Sequence, residues 1–122
     1  MPDFHERPLV YVAGPYSHPD PVANTHAALK TATQLQDSGL VTCFVPHQNL
    51  IWHLIDPQEE DHWYSHDFAF LARCDAVFRM PGHSTGADAE EDFASDRGIP
   101  VFHTPDGLWG WAAEQLDVLG ER

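Results

Sequence analysis

The amino-acid sequence predicts an α/β fold built on a parallel sheet. Three observations carry that prediction. Short, nearly continuous apolar runs recur at Pro8–Ala13, Leu40–Val45, Asp75–Met80 and Ile99–His103, and runs of this kind suit strands covered on both faces. The longer segments between them place apolar residues at helical spacing. Strand and helix therefore alternate along the chain, the pattern of helices packed on both faces of a parallel sheet.

Taken in order, Pro8–Ala13 (PLVYVA) is the first strand, and Gly14-Pro15-Tyr16-Ser17 is the loop at its carboxyl end. The continuation His18-Pro19-Asp20-Pro21 is too rich in proline to be helical. Asp20 caps a helix from Pro21 to about Asp37, with proline at the favoured first position. Val22, Ala27, Ala28, Leu29, Ala32 and Leu35 supply its apolar stripe, and Ser38-Gly39 ends it. Leu40–Val45 is the second strand, stopped by Pro46. From Pro46 to Glu60, polar His47, Gln48 and Asn49 mix with Leu50, Ile51, Trp52, Leu54 and Ile55. This segment is either a lid or pocket wall, or a short packed helix covering a sheet edge.

Pro57–Cys74 reads as a helix, with Glu59, Glu60 and Asp61 near its positive end and Trp63, Phe68, Phe70 and Leu71 on its apolar face. Asp75–Met80 is the third strand. A turn containing Pro81, Gly82, Ser84, Thr85 and Gly86 then feeds a helix to Arg97, stopped by Gly98. Ile99–His103 is the fourth strand, and Thr104 or Asp106 caps a last helix from Gly107 to about Leu119. This order predicts a Rossmann-like (flavodoxin-like) three-layer sandwich, with about four to five parallel strands and right-handed crossovers. Ligands in such sheets sit at the carboxyl ends of the strands. That rule gathers the Gly14–Ser17 loop, the His47 region and the Ser84–Glu90 stretch around one crevice.

The 122 residues, 43% of them hydrophobic, suit one domain with one core. Six Lys+Arg stand against 19 Asp+Glu, for a net charge of -13. No basic patch can be built from so few dispersed cations, so neither a nucleic-acid polymer nor an anionic membrane surface is an expected partner. A single nucleoside or nucleotide is still compatible, because local loop amides outweigh net charge. Cys43 and Cys74 are expected to be buried free thiols. The opening MPDFHERP carries no signal-peptide pattern, and no apolar run reaches membrane-spanning length, so a cytoplasmic location is expected.

The densest chemistry lies in Pro81–Pro100 (PGHSTGADAEEDFASDRGIP). A strand feeding a small-residue loop and then a helix presents free amides and a partial positive charge, suited to an anion or a sugar hydroxyl. Glu90 and Glu91 stand just inside this helix, where the dipole favours their ionised forms. One of them is a candidate nucleophile for a sugar carbon; equally, acidic residues are common in first helical turns. His62 and His66 stand four apart on a helix, but the segment between them lacks the glutamate of a zinc-protease motif. No metal and no cofactor is expected.

Three stretches, VYVAGPYS (Val10–Ser17), HDFAFLARCDAVFRMPG (His66–Gly82) and STGADAEEDFASDRGIPVF (Ser84–Phe102), together resemble the nucleoside 2-deoxyribosyltransferase superfamily. That superfamily also includes the deoxynucleoside 5'-monophosphate N-glycosidases and the cytidylate and hydroxymethylcytidylate hydrolases. PYSHPDP (Pro15–Pro21) is most similar to a small bacterial and phage branch of it. The resemblance runs from Leu9 to about Phe102 and implies a single domain of this type over residues 1–122.

The family's nucleophilic glutamate lies four residues after a glycine, four before an alanine and eight before the glycine ending the helix. Counting from Gly86, Ala94 and Gly98 selects Glu90. By the same resemblance, Ser84 helps hold a 5'-phosphate in nucleotide-using relatives, Tyr11 hydrogen-bonds the nucleophile, and Gly14 lets the first loop approach the ligand. Asp67, opening a D-x-x-x-L-x-x-x-D pattern with Leu71 and Asp75, acts near sugar and base as proton donor or orienter. Pro15, Tyr16, His47, Asp75 and Gly86 complete the expected substrate-binding set, although Asp75 also suits a structural role at a strand start.

The implied activity is cleavage of the N-glycosidic bond of a nucleoside or nucleoside 5'-monophosphate, by hydrolysis or base exchange. The alternative is a non-catalytic nucleotide-binding regulatory module on the same fold. The transferases proper carry an asparagine near the C-terminus that completes a neighbouring subunit's site. No equivalent follows Phe102, which shifts the expectation towards hydrolysis. Relatives assemble as dimers or larger, so a homodimer or higher homo-oligomer is expected, with Trp109 and Trp111 as candidate contact residues.

Overall fold

A computed structural model describes residues 2–120. Four parallel strands, β1 (Leu9–Ala13), β2 (Thr42–Phe44), β3 (Ala76–Arg79) and β4 (Val101–Phe102), form one sheet in the order β2-β1-β3-β4. The helices are α1 (Pro21–Gln36), α2 (Asn49–Ile55), α3 (Glu60–Leu71), α4 (Thr85–Asp96) and α5 (Pro105–Gly120), with single 3₁₀ turns at Phe4–Glu6 and Pro46–Gln48.

The central strand explains the layering. Successive side chains of β1 point to opposite faces. Val10 and Val12 join Ala28 and Leu35 of α1 and Leu108 of α5 in one core cluster. Tyr11 and Ala13 face the other way, into a cluster with Leu71 of α3 and Ala87 and Ala94 of α4. The result is the three-layer α/β sandwich expected from the strand–helix alternation. The chain leaves β1 towards β2 on one side and later returns to β3 on the other. The carboxyl ends of β1 and β3 thus flank the point where strand order reverses.

Some boundaries differ from the sequence expectation. The helix read from Pro57 begins instead at Glu60. Proline at 57 disfavours helical geometry in the residue before it, and Asp56 is accordingly non-helical (φ -129°, ψ 83°). The last helix starts earlier than Gly107, at Pro105, with Thr104 Oγ1 accepting from the Gly107 N–H at 3.2 Å. The ambiguous segment after β2 is a short helix, α2, whose Ile51, Leu54 and Ile55 are exposed. Trp109 and Trp111 are partly buried against this chain's own core, and the Trp109 indole donates to Leu35 O at 3.2 Å. Cys43 and Cys74 are free thiols, both pushed up to about 12 by burial. Among the described residues, no helix is long and apolar enough to cross a membrane.

Candidate active site

The helix after β3 begins at Thr85, inside the stretch read as a turn. Ser84 has extended backbone (φ -162°, ψ 113°), and its Oγ accepts from the Ala87 N–H at 3.0 Å, the ordinary N-cap arrangement. Ala87, Glu90 and Ala94 then fall at helical spacing on the buried face of α4. That face covers the side of β1 from which Tyr11 projects. Tyr11 is fully buried and Glu90 is 8% exposed, and the Tyr11 hydroxyl donates to Glu90 Oε2.

Burial decides the electrostatics here. It pushes the Glu90 carboxyl up to about 7, with the negative charge of Asp67 adding to the rise. The hydrogen bond from Tyr11 and the charge of Arg79 pull the other way but do not cancel it. The expectation that the helix dipole keeps this carboxylate ionised is therefore corrected: desolvation outweighs the dipole. Tyr11 is raised as well, by burial first and then by Glu90, so it stays a neutral donor. Glu91 points elsewhere, accepting from His103 at 3.1 Å and lying 4.0 Å from Arg79 Nε.

Asp67 comes from α3. Its Oδ1 accepts from Asn49 Nδ2 at 2.7 Å and lies 3.2 Å from His66 Nδ1. Burial raises this carboxyl above its ordinary value, with His66 and Asn49 opposing. One helical turn before Asp67, the Trp63 indole donates to His53 Nδ1 at 2.9 Å. Asn49 and His53 are four residues apart on α2, as Trp63 and Asp67 are on α3. Two polar rungs thus fasten the short helix across the longer one.

The first loop supplies the opposite wall. Gly14 sits so close to Met80 that an added Cβ would lie 3.0 Å from the Met80 Cβ. His47, 3% exposed, places Nε2 at 2.9 Å from Pro15 O and turns its ring edge to Tyr16. Burial holds its pKa below the usual range. Asn24 Nδ2 donates to Tyr16 O and His18 O, both at 2.9 Å, anchoring the loop to α1.

These pieces enclose a crevice of about 570 Å³ at the carboxyl edge of the sheet. Of the residues named from sequence, Gly14, Pro15, Tyr16, His47, Asp67, Ser84, Gly86 and Glu90 line it, and Tyr11 stands behind Glu90. Asp75 is not brought there. Its Oδ2 accepts from the Leu9 N–H and its own N–H donates to Leu9 O, each at 2.7 Å. It clamps the amino ends of β1 and β3, at the opposite edge of the sheet. Asp75→Ala is expected to cost about 1 kcal/mol, a drop of roughly 4 °C in melting temperature, with ligand affinity at the crevice unchanged; calorimetry and a binding titration read the two.

Asn49, His53, Glu60 and Tyr64 also line the crevice without having been singled out. The mixed polar and apolar stretch after Pro46 was the available signal for the first two. Tyr64 packs against Gly86 so closely that a Cβ there would lie 2.8 Å from the Tyr64 hydroxyl oxygen, a close approach that explains the glycine. Among the described residues, the group of three ligand-type side chains able to meet around one cation is exposed Asp3, His5 and Glu6, outside the crevice lining.

The model of a family described as a domain of unknown function, DUF4406, matches residues 8–103. No curated protein matches the chain. The solved structure of a 2-deoxyribosyltransferase from the psychrotolerant bacterium Bacillus psychrosaccharolyticus is similar in fold. Its TM-score is 0.55 over 76% of this chain and 69% of that one, at 20% identity. The resemblance drawn from the three sequence stretches holds at the level of fold.

Proposed function

The chain belongs to the DUF4406 family, and from that premise we propose that it cleaves the N-glycosidic bond of a nucleoside or nucleoside 5'-monophosphate, with Glu90 as nucleophile. The observation that carries this reading is the buried Glu90 carboxyl in the crevice, held from behind by the Tyr11 hydroxyl and close enough to Asp67 to feel its charge. The fold shared with a 2-deoxyribosyltransferase supports it.

The chemistry needs few groups. The Glu90 carboxylate attacks the anomeric carbon as the bond to the base nitrogen breaks. The bonding pair leaves with the base, which takes a proton from Asp67. The product is a glycosyl ester on Glu90. Water then attacks the anomeric carbon, giving its proton to Asp67 and releasing the sugar, or a second base attacks and completes exchange.

Both carboxyls are raised by burial, and the charge of Asp67 adds to the rise at Glu90. The reactive form holds one proton, which the chemistry requires on Asp67; Glu90 otherwise keeps its own proton up to about 7, and the Tyr11 hydrogen bond lowers the cost of ionising it. Tyr11→Phe tests this arrangement. Glu90 then loses a stabiliser of its charge, so the alkaline limb of kcat/KM moves to higher pH while the rate at the optimum falls on the order of 10-fold to 100-fold. A merely structural role for Tyr11 predicts no shift of the limb.

The direct test is chromatographic detection of free base from a panel of nucleosides and 5'-nucleotides, with and without an acceptor base. Release requiring the acceptor identifies exchange, and release without it identifies hydrolysis. Ligand binding with no release from any substrate supports the non-catalytic nucleotide-binding module instead.

A further inference from the structure

The crevice is acidic. Glu60, Asp67 and Glu90 line it, with four histidines and, among the described residues, no lysine or arginine. The chain has six basic side chains. Arg7 is spent on Pro2 O and Val41 O beside the amino end of β1. Lys30 is exposed on α1. Arg73 binds Ala69 O, and Arg97 lies over the Phe93 ring. Arg122 falls outside the described residues. Arg79 is nearest, but its guanidinium binds Met80 O, Gly82 O and Asp88, beside a separate opening that it shares with Glu91 and His103.

A phosphate at a strand–loop–helix junction needs the free amides of the helix start. At α4 the Ser84 hydroxyl already caps the Ala87 N–H, and Tyr64 lies over Gly86. Glu60, one turn before Tyr64 on α3, lines the same crevice, and its charge adds to the burial that raises the Tyr64 hydroxyl. Two of the four histidines, His47 and His53, are already committed to neighbours. Burial lowers His47 from its ordinary value, and His53 Nδ1 accepts from both Trp63 and the Gln58 N–H.

We propose, resting on the glycosidase reading, that the crevice takes an uncharged nucleoside and rejects its 5'-monophosphate, with Glu60 accepting a hydrogen bond from the free 5'-hydroxyl at the start of α4. A hydroxyl has a proton to give this carboxylate. A phosphate brings roughly two negative charges at neutral pH towards Glu60, Asp67 and Glu90, with no lysine or arginine among the described residues that line the crevice.

The experiment compares kcat/KM for matched pairs of nucleoside and 5'-monophosphate at neutral pH, at low and high salt, in wild type and Glu60→Gln, with calorimetric binding of the same pairs. The expected preference for the nucleoside is on the order of 100-fold. It narrows on the order of 10-fold in Glu60→Gln and narrows again at high salt. A monophosphate used as well as the nucleoside overturns the proposal, and an unchanged ratio in Glu60→Gln overturns the part given to Glu60. If neither compound is cleaved, the glycosidase reading fails first and calorimetry decides this one. Binding of the nucleoside alone supports it; tighter binding of the monophosphate, or of neither, overturns it.

Discussion

Glu90→Gln will abolish release of base while leaving substrate affinity nearly intact. The variant keeps the side chain's volume and can still accept the Tyr11 hydrogen bond, but it cannot form the glycosyl ester. Losing a covalent nucleophile removes an interaction made only on the way to the transition state, so the fall should appear in kcat, on the order of 10⁴-fold or more, with KM little changed. Steady-state assays alongside binding titrations separate the two quantities. Equal activity in variant and wild type would remove Glu90 from the chemistry and leave the crevice as a binding site.

The same substitution carries an internal control for folding. In the folded protein Glu90 holds its proton up to about 7, against an ordinary value of 4.5. Between those values the native state binds more protons than the unfolded chain, so stability falls as pH rises through that window. Above it, the buried ionised carboxylate costs up to about 3 kcal/mol. Glutamine has no charge to bury. The variant is therefore expected to gain stability relative to wild type at alkaline pH and to gain little at pH below the window. An inactive protein that is more stable than its parent cannot owe its inactivity to unfolding.

The parts of this site legible in the sequence are those set by local periodicity. β1 alternates, so Tyr11 had to share a face with Ala13; the choice of Glu90 over Glu91 came instead from the family resemblance, counted from Gly86, Ala94 and Gly98. The Asp20 cap and Pro21 at the first position of α1 follow from backbone chemistry within a few residues. What was not legible depends on where the chain turns between elements. Pro57 shortened α3 and set α2 across it, so the pairing of Asn49 with Asp67 arises from a loop geometry that no periodicity encodes. Asp75 shows the converse: its motif grouped it with Asp67, yet a strand start and a helix body lie at different edges of the layer. The raised Glu90 carboxyl was misjudged because the helix dipole can be inferred from position alone, while desolvation needs the packed neighbours.

Asp67→Asn is the second large effect, and its signature is a change in the form of the pH profile. In wild type, kcat/KM should be bell-shaped, because the reactive state holds one proton across Glu90 and Asp67. The alkaline limb lies near pH 7, where that last proton leaves the pair. Asparagine removes both the proton and the negative charge that raises Glu90. The alkaline limb should then disappear, leaving a single rise at a pH below 7 as Glu90 ionises more readily. The plateau should lie about 10² to 10⁴ below wild type, the usual contribution of general acid catalysis. That loss should shrink for nucleosides whose base departs readily without a proton and grow for poor leaving groups. Asn49, which donates to Asp67, provides the comparison: Asn49→Ala keeps the acid but frees it to turn, so its profile should remain bell-shaped with a lower maximum. Were Asp67 only a structural partner of Asn49 and His66, both variants would lose activity uniformly across pH and across leaving groups.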